Sequence, residues 1–337
     1  MTPALAATLL IAGTLLWFLL PLLPALRELY HPTDITPLQV VGRDAADVEL
    51  FARGFRGYLE RQLQQLPDGG RGELAGKLPD GTPFVQARQL PEQLLEEARR
   101  EEGLDRVVVL TMPSTLRGGE TFVREVYARA IHTCGPRTVY RALLGDAALM
   151  LGPGSVVLRW VHTPDELVVG DGSLLAGRAS AGRAIRLGHG VSFDRVSAPR
   201  IVVSGGSQLA ELEPVPLAPF SLPEERTVTV GDHQRVTGDL DIPPGAVYQG
   251  HLVVTGGVML GAQARIEGSL KAHGAVQIGT GAAVTGAVVS RTRVITGLRA
   301  RIGGPVVAEE LVELGPGTVI AAPTSPTSLA APRIVLG

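Results

Sequence analysis

Histidine is the side chain best suited to proton transfer near neutral pH, and three of this chain's seven, His189, His251 and His273, stand next to glycine or at a turn. Such a residue could serve as the general base of an acyl transfer. His189 lies between Gly188 and Gly190, and His273 precedes Gly274, so both read first as solvent-facing residues at corners. No paired carboxylate and no acceptor-binding motif accompanies them. Asp239 with Asp241, and Glu309 with Glu310, read as solvated edges, since the glycine–aspartate nonapeptide of calcium-binding solenoids is absent. The one cysteine, Cys134, has no partner for an internal disulfide and reads as a small buried apolar side chain. Histidine and cysteine show no metal-ligand spacing, and no Gly-Lys-Ser/Thr closes a phosphate loop. The expectation is therefore of no catalytic, cofactor or metal site, and of no enzyme.

The elements that would carry these residues are written in a repeat. Gly261, Gly279, Gly297 and Gly315 recur every 18 residues, as do Gly250, Gly268, Gly286 and Gly304. From Leu252 an apolar or small residue returns every sixth position through Val258, Ala264, Leu270, Val276, Ala282, Val288, Val294, Ala300, Val306 and Val312. A second inward residue follows two places later, as in Leu260, Ile266, Ile278, Val284, Ile302 and Leu314. Residues at i and i+2 share one face of a strand. Three short strands per 18 residues predict a three-sided coil, and coils bury one another's apolar residues because none can bury its own. The glycines Gly261, Gly268, Gly279, Gly286, Gly297, Gly304 and Gly315 are placed near corners, where backbone angles are unusual or a neighbour passes closely. Leu260, Ile266, Val276, Ile278, Val284, Ile302, Val312 and Leu314 are the expected structural core.

An earlier block has the same template. Leu149-Met150-Leu151-Gly152-Pro153-Gly154 aligns with residues 167–172 and 185–190 at the same interval. The sequence predicts a first solenoid block over 121–203 and a second over 236–322, about eight coils and on the order of 40 Å in all. Residues 204–235, with Pro214, Pro216, Pro219 and Pro223, read as an irregular loop outside the solenoid, and 323–337 as a flexible tail. That tail would leave the last coil's edge open to a partner.

Composition agrees. Aromatics are 4% of the chain, too few for a conventional core of this length, while hydrophobic residues reach 45%. A net charge of −2 gives no electrostatic case for nucleic acid.

Ala4 to Leu26 is 23 residues without a charge, enough for a helix to cross a hydrocarbon core of about 30 Å. With no basic n-region and no clear cleavage site, it reads as a retained single-pass anchor rather than a signal peptide. Arg27 and Arg43 follow it, so the positive-inside tendency places the carboxy-terminal bulk in the cytoplasm, at the cell inner membrane. Residues 27–120 read as a small α/β membrane-proximal segment. Its helices are predicted over Asp44–Gln65 and Pro91–Glu101, with a strand over Arg106–Thr111.

The stretches Ile266-Glu267-Gly268-Ser269-Leu270, Ala275-Val276-Gln277-Ile278-Gly279 and Ala283-Val284-Thr285-Gly286-Ala287-Val288 resemble the coils of the bactofilins, bacterial polymer-forming cytoskeletal proteins. The resemblance covers about 236–322 and, in pattern only, 148–203; it does not reach 1–120. It implies a right-handed parallel β-helix, no cofactor, and self-association through solenoid ends into a scaffold or filament, with further protein partners unnamed. The alternative from another class is a hexapeptide-repeat acyltransferase, whose coils have the same period and whose base would be one of His189, His251 and His273.

Overall fold

A computed structural model describes Leu10, Thr14 and Trp17 and residues 49–66, 72–204, 212–322 and 326–337. The chain divides into two units, Met1–Asp47 and Val48–Gly337. The expected anchor, residues 4–26, lies outside the described residues except for Leu10, Thr14 and Trp17, each helical. No helix among the described residues is long and apolar enough to cross a membrane.

The second unit is a β-solenoid of about 12 turns with a spacing near 18 residues, more turns than the sequence pattern revealed. At about 4.8 Å per turn the stack is roughly 55–60 Å long. In the second block each turn gives one strand to each of three sheets, as Leu252–Val254, Val258–Leu260 and Arg265–Ile266 do, all pairing in parallel with residues 18 further on. The first block bends its longer strands around a corner. Val156–Thr163 pairs in unbroken register with Leu174–Ala181, while its pairing with Val139–Gly145 and that of Leu174–Ala181 with Ser192–Ala198 each shift register mid-strand.

The inward residues close the interior in every turn. Val258, Val276, Val294 and Val312 stack on one face, and each is at most 3% exposed. Burying one valine contributes about 1.5–3 kcal/mol. Where a polar residue replaces an aliphatic one, it finds a partner: Ser290 Oγ donates to the carbonyl of Gly274 at 2.8 Å, and Thr296 shares a 3.0 Å hydrogen bond with Thr318.

Two corner requirements are met by different residues. The glycines of the 261–315 series have ordinary φ, but a Cβ on Gly279 would stand 2.7 Å from the amide nitrogen of Ala262 in the preceding turn. Close approach, not backbone angle, requires glycine there. The left-handed conformation falls two residues later, at Gly245, Gln263, Gly281, Arg299 and Gly317, and at two of these five a non-glycine residue bears it.

The path of the chain departs from the sequence reading in four places. The stack begins before residue 121: Pro83–Ala87 pairs in parallel with Val107–Leu110, and that strand with Val126–Ala128. Thus 83–120 is partly solenoid, because Val108 and Leu110 point inward while Val107 and Val109 pack under a helix. Second, residues 327–336 are not a flexible tail. Thr327–Ala330 and Arg333–Leu336 are strands completing a last turn, with Leu329, Ile334 and Leu336 buried; residues 323–325 lie outside the described ones. Third, 212–235 is not an external loop. Ala218–Pro219 pairs with Ala246–Gln249, and Thr227–Val230 forms an antiparallel hairpin with His233–Val236, which joins the stack.

Fourth, the two blocks do not follow each other in one direction. Ser192–Ala198 pairs antiparallel with Thr327–Ala330, and Arg200–Val203 with Val319–Ala321. The carboxy-terminal ends of both blocks meet, and the second block runs back from that junction. The chain itself therefore pairs two of the last coil's three strands, and Arg333–Leu336 stays the edge of its sheet.

Candidate functional site

Three places in the stack hold features that its regular turns do not: its two ends and a strip of buried polar groups in the first block. The first-block end is built by the helix Glu92–Ala98. Its Ala98 is fully buried, and Leu94 and Leu95 pack on the first coils around Leu90 and Leu104. Just past its end, Arg99 donates through Nε and Nη2 to Glu120 Oε1 at 3.2 and 2.8 Å. Glu120 is fully buried, and its second oxygen accepts from the Gly118 amide at 2.9 Å and the Thr138 hydroxyl at 3.4 Å. The buried carboxylate therefore has donors on both of its oxygens.

The helix Leu50–Gln64 lies along the outside of the same block, burying Ala52, Leu59 and Leu63 against Phe84, Val107, Val109, Tyr127 and Leu144. Phe55 meets Trp160 with ring centroids 5.8 Å apart. Arg56 pairs with Asp146, which also accepts from the Tyr127 hydroxyl at 2.6 Å. Burial first, then that hydrogen bond, pushes Tyr127 up to about 12. This helix packs on its own unit, as its apolar spacing predicts.

The buried strip contains the chain's most chemically suggestive constellation. His132 Nδ1 and Ser114 Oγ share a 2.7 Å hydrogen bond, and His132 Nε2 and the Tyr140 hydroxyl another of 2.7 Å. Phe122 stacks on Tyr140 at 5.2 Å. A serine paired with an imidazole is the kit of nucleophilic catalysis, but His132 is 0% and Ser114 7% exposed. A neutral imidazole offers one donor and one acceptor, and each hydroxyl can fill either role, so the group is satisfied within the core. Burial lowers the His132 pKa to about 4 and raises that of Tyr140 well above its usual value. Cys134, also buried, accepts from the Gly152 amide at 3.4 Å and approaches Ser155 Oγ at 3.6 Å.

The far end of the second block is closed by residues 212–236. Val215 donates its amide to Gln263 Oε1 at 3.1 Å, Phe220 donates to the Val247 carbonyl at 2.8 Å, and Phe220 and Leu222 pack on the core. Outermost stands the strand Thr227–Val230, with Val228 62% and Val230 43% exposed.

The eight expected core residues, Leu260, Ile266, Val276, Ile278, Val284, Ile302, Val312 and Leu314, are each at most 2% exposed. They line one interior. The three candidate bases are not brought together: His189 and His251 are exposed on different blocks and His273 is half-buried. His251 Nδ1 accepts from the Ser269 amide at 3.0 Å, a contact between neighbouring turns. No group of histidine, cysteine and carboxylates able to hold a metal occurs among the described residues. Sequence reasoning missed His132, Glu120 and the Thr227–Val230 edge. The His132 pairing had a faint signal, since Ser114 and His132 are one period apart.

No family model, no curated protein and no solved structure matches this chain.

Proposed function

We propose that this protein is a non-enzymatic scaffold of a bacterial inner membrane, anchored by residues 4–26 and self-associating through an end of its solenoid. In this reading the coils wind right-handed, the usual sense for parallel crossovers, and the protein is bactofilin-like, with its bulk on the cytoplasmic side. The carrying observation is how the solenoid disposes of its reactive side chains. His132, Ser114, Glu120 and Cys134 are used up in buried structural hydrogen bonds, while His189 and His251 stand apart on the surface. What the surface repeats instead is parallel strands in register from turn to turn, which suits a platform.

The test is direct. Full-length protein should resist extraction from membranes by alkaline carbonate, and in mild detergent its mass by light scattering should exceed that of one chain. Release by carbonate would remove the anchor from the proposal, and a strictly monomeric protein would remove self-association. Calorimetric binding of acetyl-coenzyme A, lost on replacing His189, His251 or His273 by alanine, would replace the scaffold by an acyltransferase.

A further inference from the structure

We infer that the strand Thr227–Val230 is the docking edge for a second copy of this chain, the two strands pairing antiparallel about a two-fold axis at Thr229 to give a closed dimer. The inference rests on the proposed self-association and specifies its surface, its geometry and its limit.

Sheet edges are the liability of any solenoid, and proteins blunt them with lysine, proline, glycine or a covering segment. The described edges of this stack are blunted in that way, with one exception. Leu74–Lys77 contains Gly76 and the exposed Lys77. Ser114–Thr115 follows Pro113, Ala218–Pro219 ends in proline, and Leu240–Ile242 runs into Pro243-Pro244. Arg333–Leu336 packs beside Ser192–Ala198 of the first block. Thr227-Val228-Thr229-Val230 carries none of these devices; it alternates two β-branched residue types of high strand preference.

Its backbone is ready to pair. The hairpin closes through two residues, Gly231 and Asp232, with Val230 opposite His233. The pair flanking a two-residue turn exchanges its hydrogen bonds, and alternate residues then point outward. The amide and carbonyl of Thr229 therefore face away from His233–Val236. The Thr227 amide is already bonded to the Glu224 carbonyl, so Thr229 is the natural centre.

With Thr229 opposite Thr229 of the second copy, the register is self-complementary along its length. Val228 falls opposite Val230, and these are the two exposed apolar side chains of the strand. Both lie on the outer face, since their hairpin partners are Arg235 and His233 while the alternate residue Val236 is buried. Antiparallel end-to-end pairing is also what this chain does internally, at Ser192–Ala198 with Thr327–Ala330. Because the opposite end is covered by the helix Glu92–Ala98 and guarded by Lys77, one copy offers one such edge, and assembly stops at two.

The experiment uses the full chain in mild detergent. Wild type should have twice the mass of one chain. Thr229→Cys should form a disulfide-linked dimer on mild oxidation, while Gly76→Cys on the other edge should not; native Cys134 is buried and does not compete. Thr229→Pro, which removes an amide the hairpin does not use, should halve the mass with an unchanged circular dichroism spectrum. Larger assemblies, or a dimer that survives Thr229→Pro and yields no cross-link at Thr229, would overturn this inference while leaving self-association standing. A monomeric wild type would overturn both.

Discussion

Acid should loosen the first block through its buried histidines; burial lowers the pKa of His162 as well, but the largest effect belongs to His132. Its imidazole is 0% exposed, sits between Ser114 and Tyr140, and has its pKa lowered to about 4 by burial. In the unfolded chain it titrates near the ordinary 6.5. Between these values the unfolded state binds more protons than the folded one, so stability falls as pH falls. The contribution is fully present above about pH 6.5, declines through the window down to about 4, and is exhausted below it. That gap corresponds to about 3 kcal/mol, most of it lost by pH 4.5. Carboxylates titrate in the same range, so the informative quantity is a difference. Denaturant unfolding of wild type and of His132→Gln, whose amide keeps one donor and one acceptor, should be compared at pH 7.5 and 4.5. The variant is expected to be less stable at pH 7.5 and to lose about 2–3 kcal/mol less than wild type on acidification. Equal losses in the two proteins would refute the argument, and so would an imidazole resonance titrating near 6.5 in the folded state.

Four further outcomes follow from the same packing. Val276→Asp places an unpaired charge between Val258 and Val294 and should cost about 3–5 kcal/mol by urea unfolding. Gly279→Ala and Gly54→Ala should differ in sign. The first sets a Cβ 2.7 Å from neighbouring backbone and should cost about 1–3 kcal/mol, while the second, in an exposed helix with nothing within 4 Å, should gain about 0.5–1 kcal/mol. Arg99→Ala leaves the buried Glu120 without its guanidinium, and should raise amide hydrogen exchange in Glu92–Ala98 above that of the second block. Deleting residues 326–337 uncovers the strand Ser192–Ala198 and should turn a discrete species into a polydisperse one by size-exclusion chromatography.

Much of the architecture was legible because a stacked coil is a local code repeated. Val258, Val276, Val294 and Val312 need only be aliphatic and 18 apart for each turn to bury the next, and an i, i+2 pair declares which face is inward. The glycines were legible as positions but not as reasons. Gly279 is required by the passing backbone of Ala262, whereas the left-handed corner at Gln263 and Arg299 carries no glycine to announce it. The last turn escaped notice because prolines interrupt its run, although Thr327 with Leu329 and Ile334 with Leu336 keep the inward spacing. His132 was hidden for another reason: a buried histidine is defined by hydroxyls that face it across the core, and neither Tyr140 nor Ser114 is marked by its type alone.

The sequence by itself determined the rung, its period and its interior, since these depend on residues one turn apart. Only the tertiary structure decided how the rungs are assembled. The junction joins Arg195 to Ala330 and Ile201 to Ile320, residues more than a hundred positions apart, and backbone hydrogen bonds between antiparallel edges are indifferent to side-chain type. No periodicity encodes that meeting, yet it closes two pairs of edges, reverses the second block, and leaves Thr227–Val230 as the outermost strand.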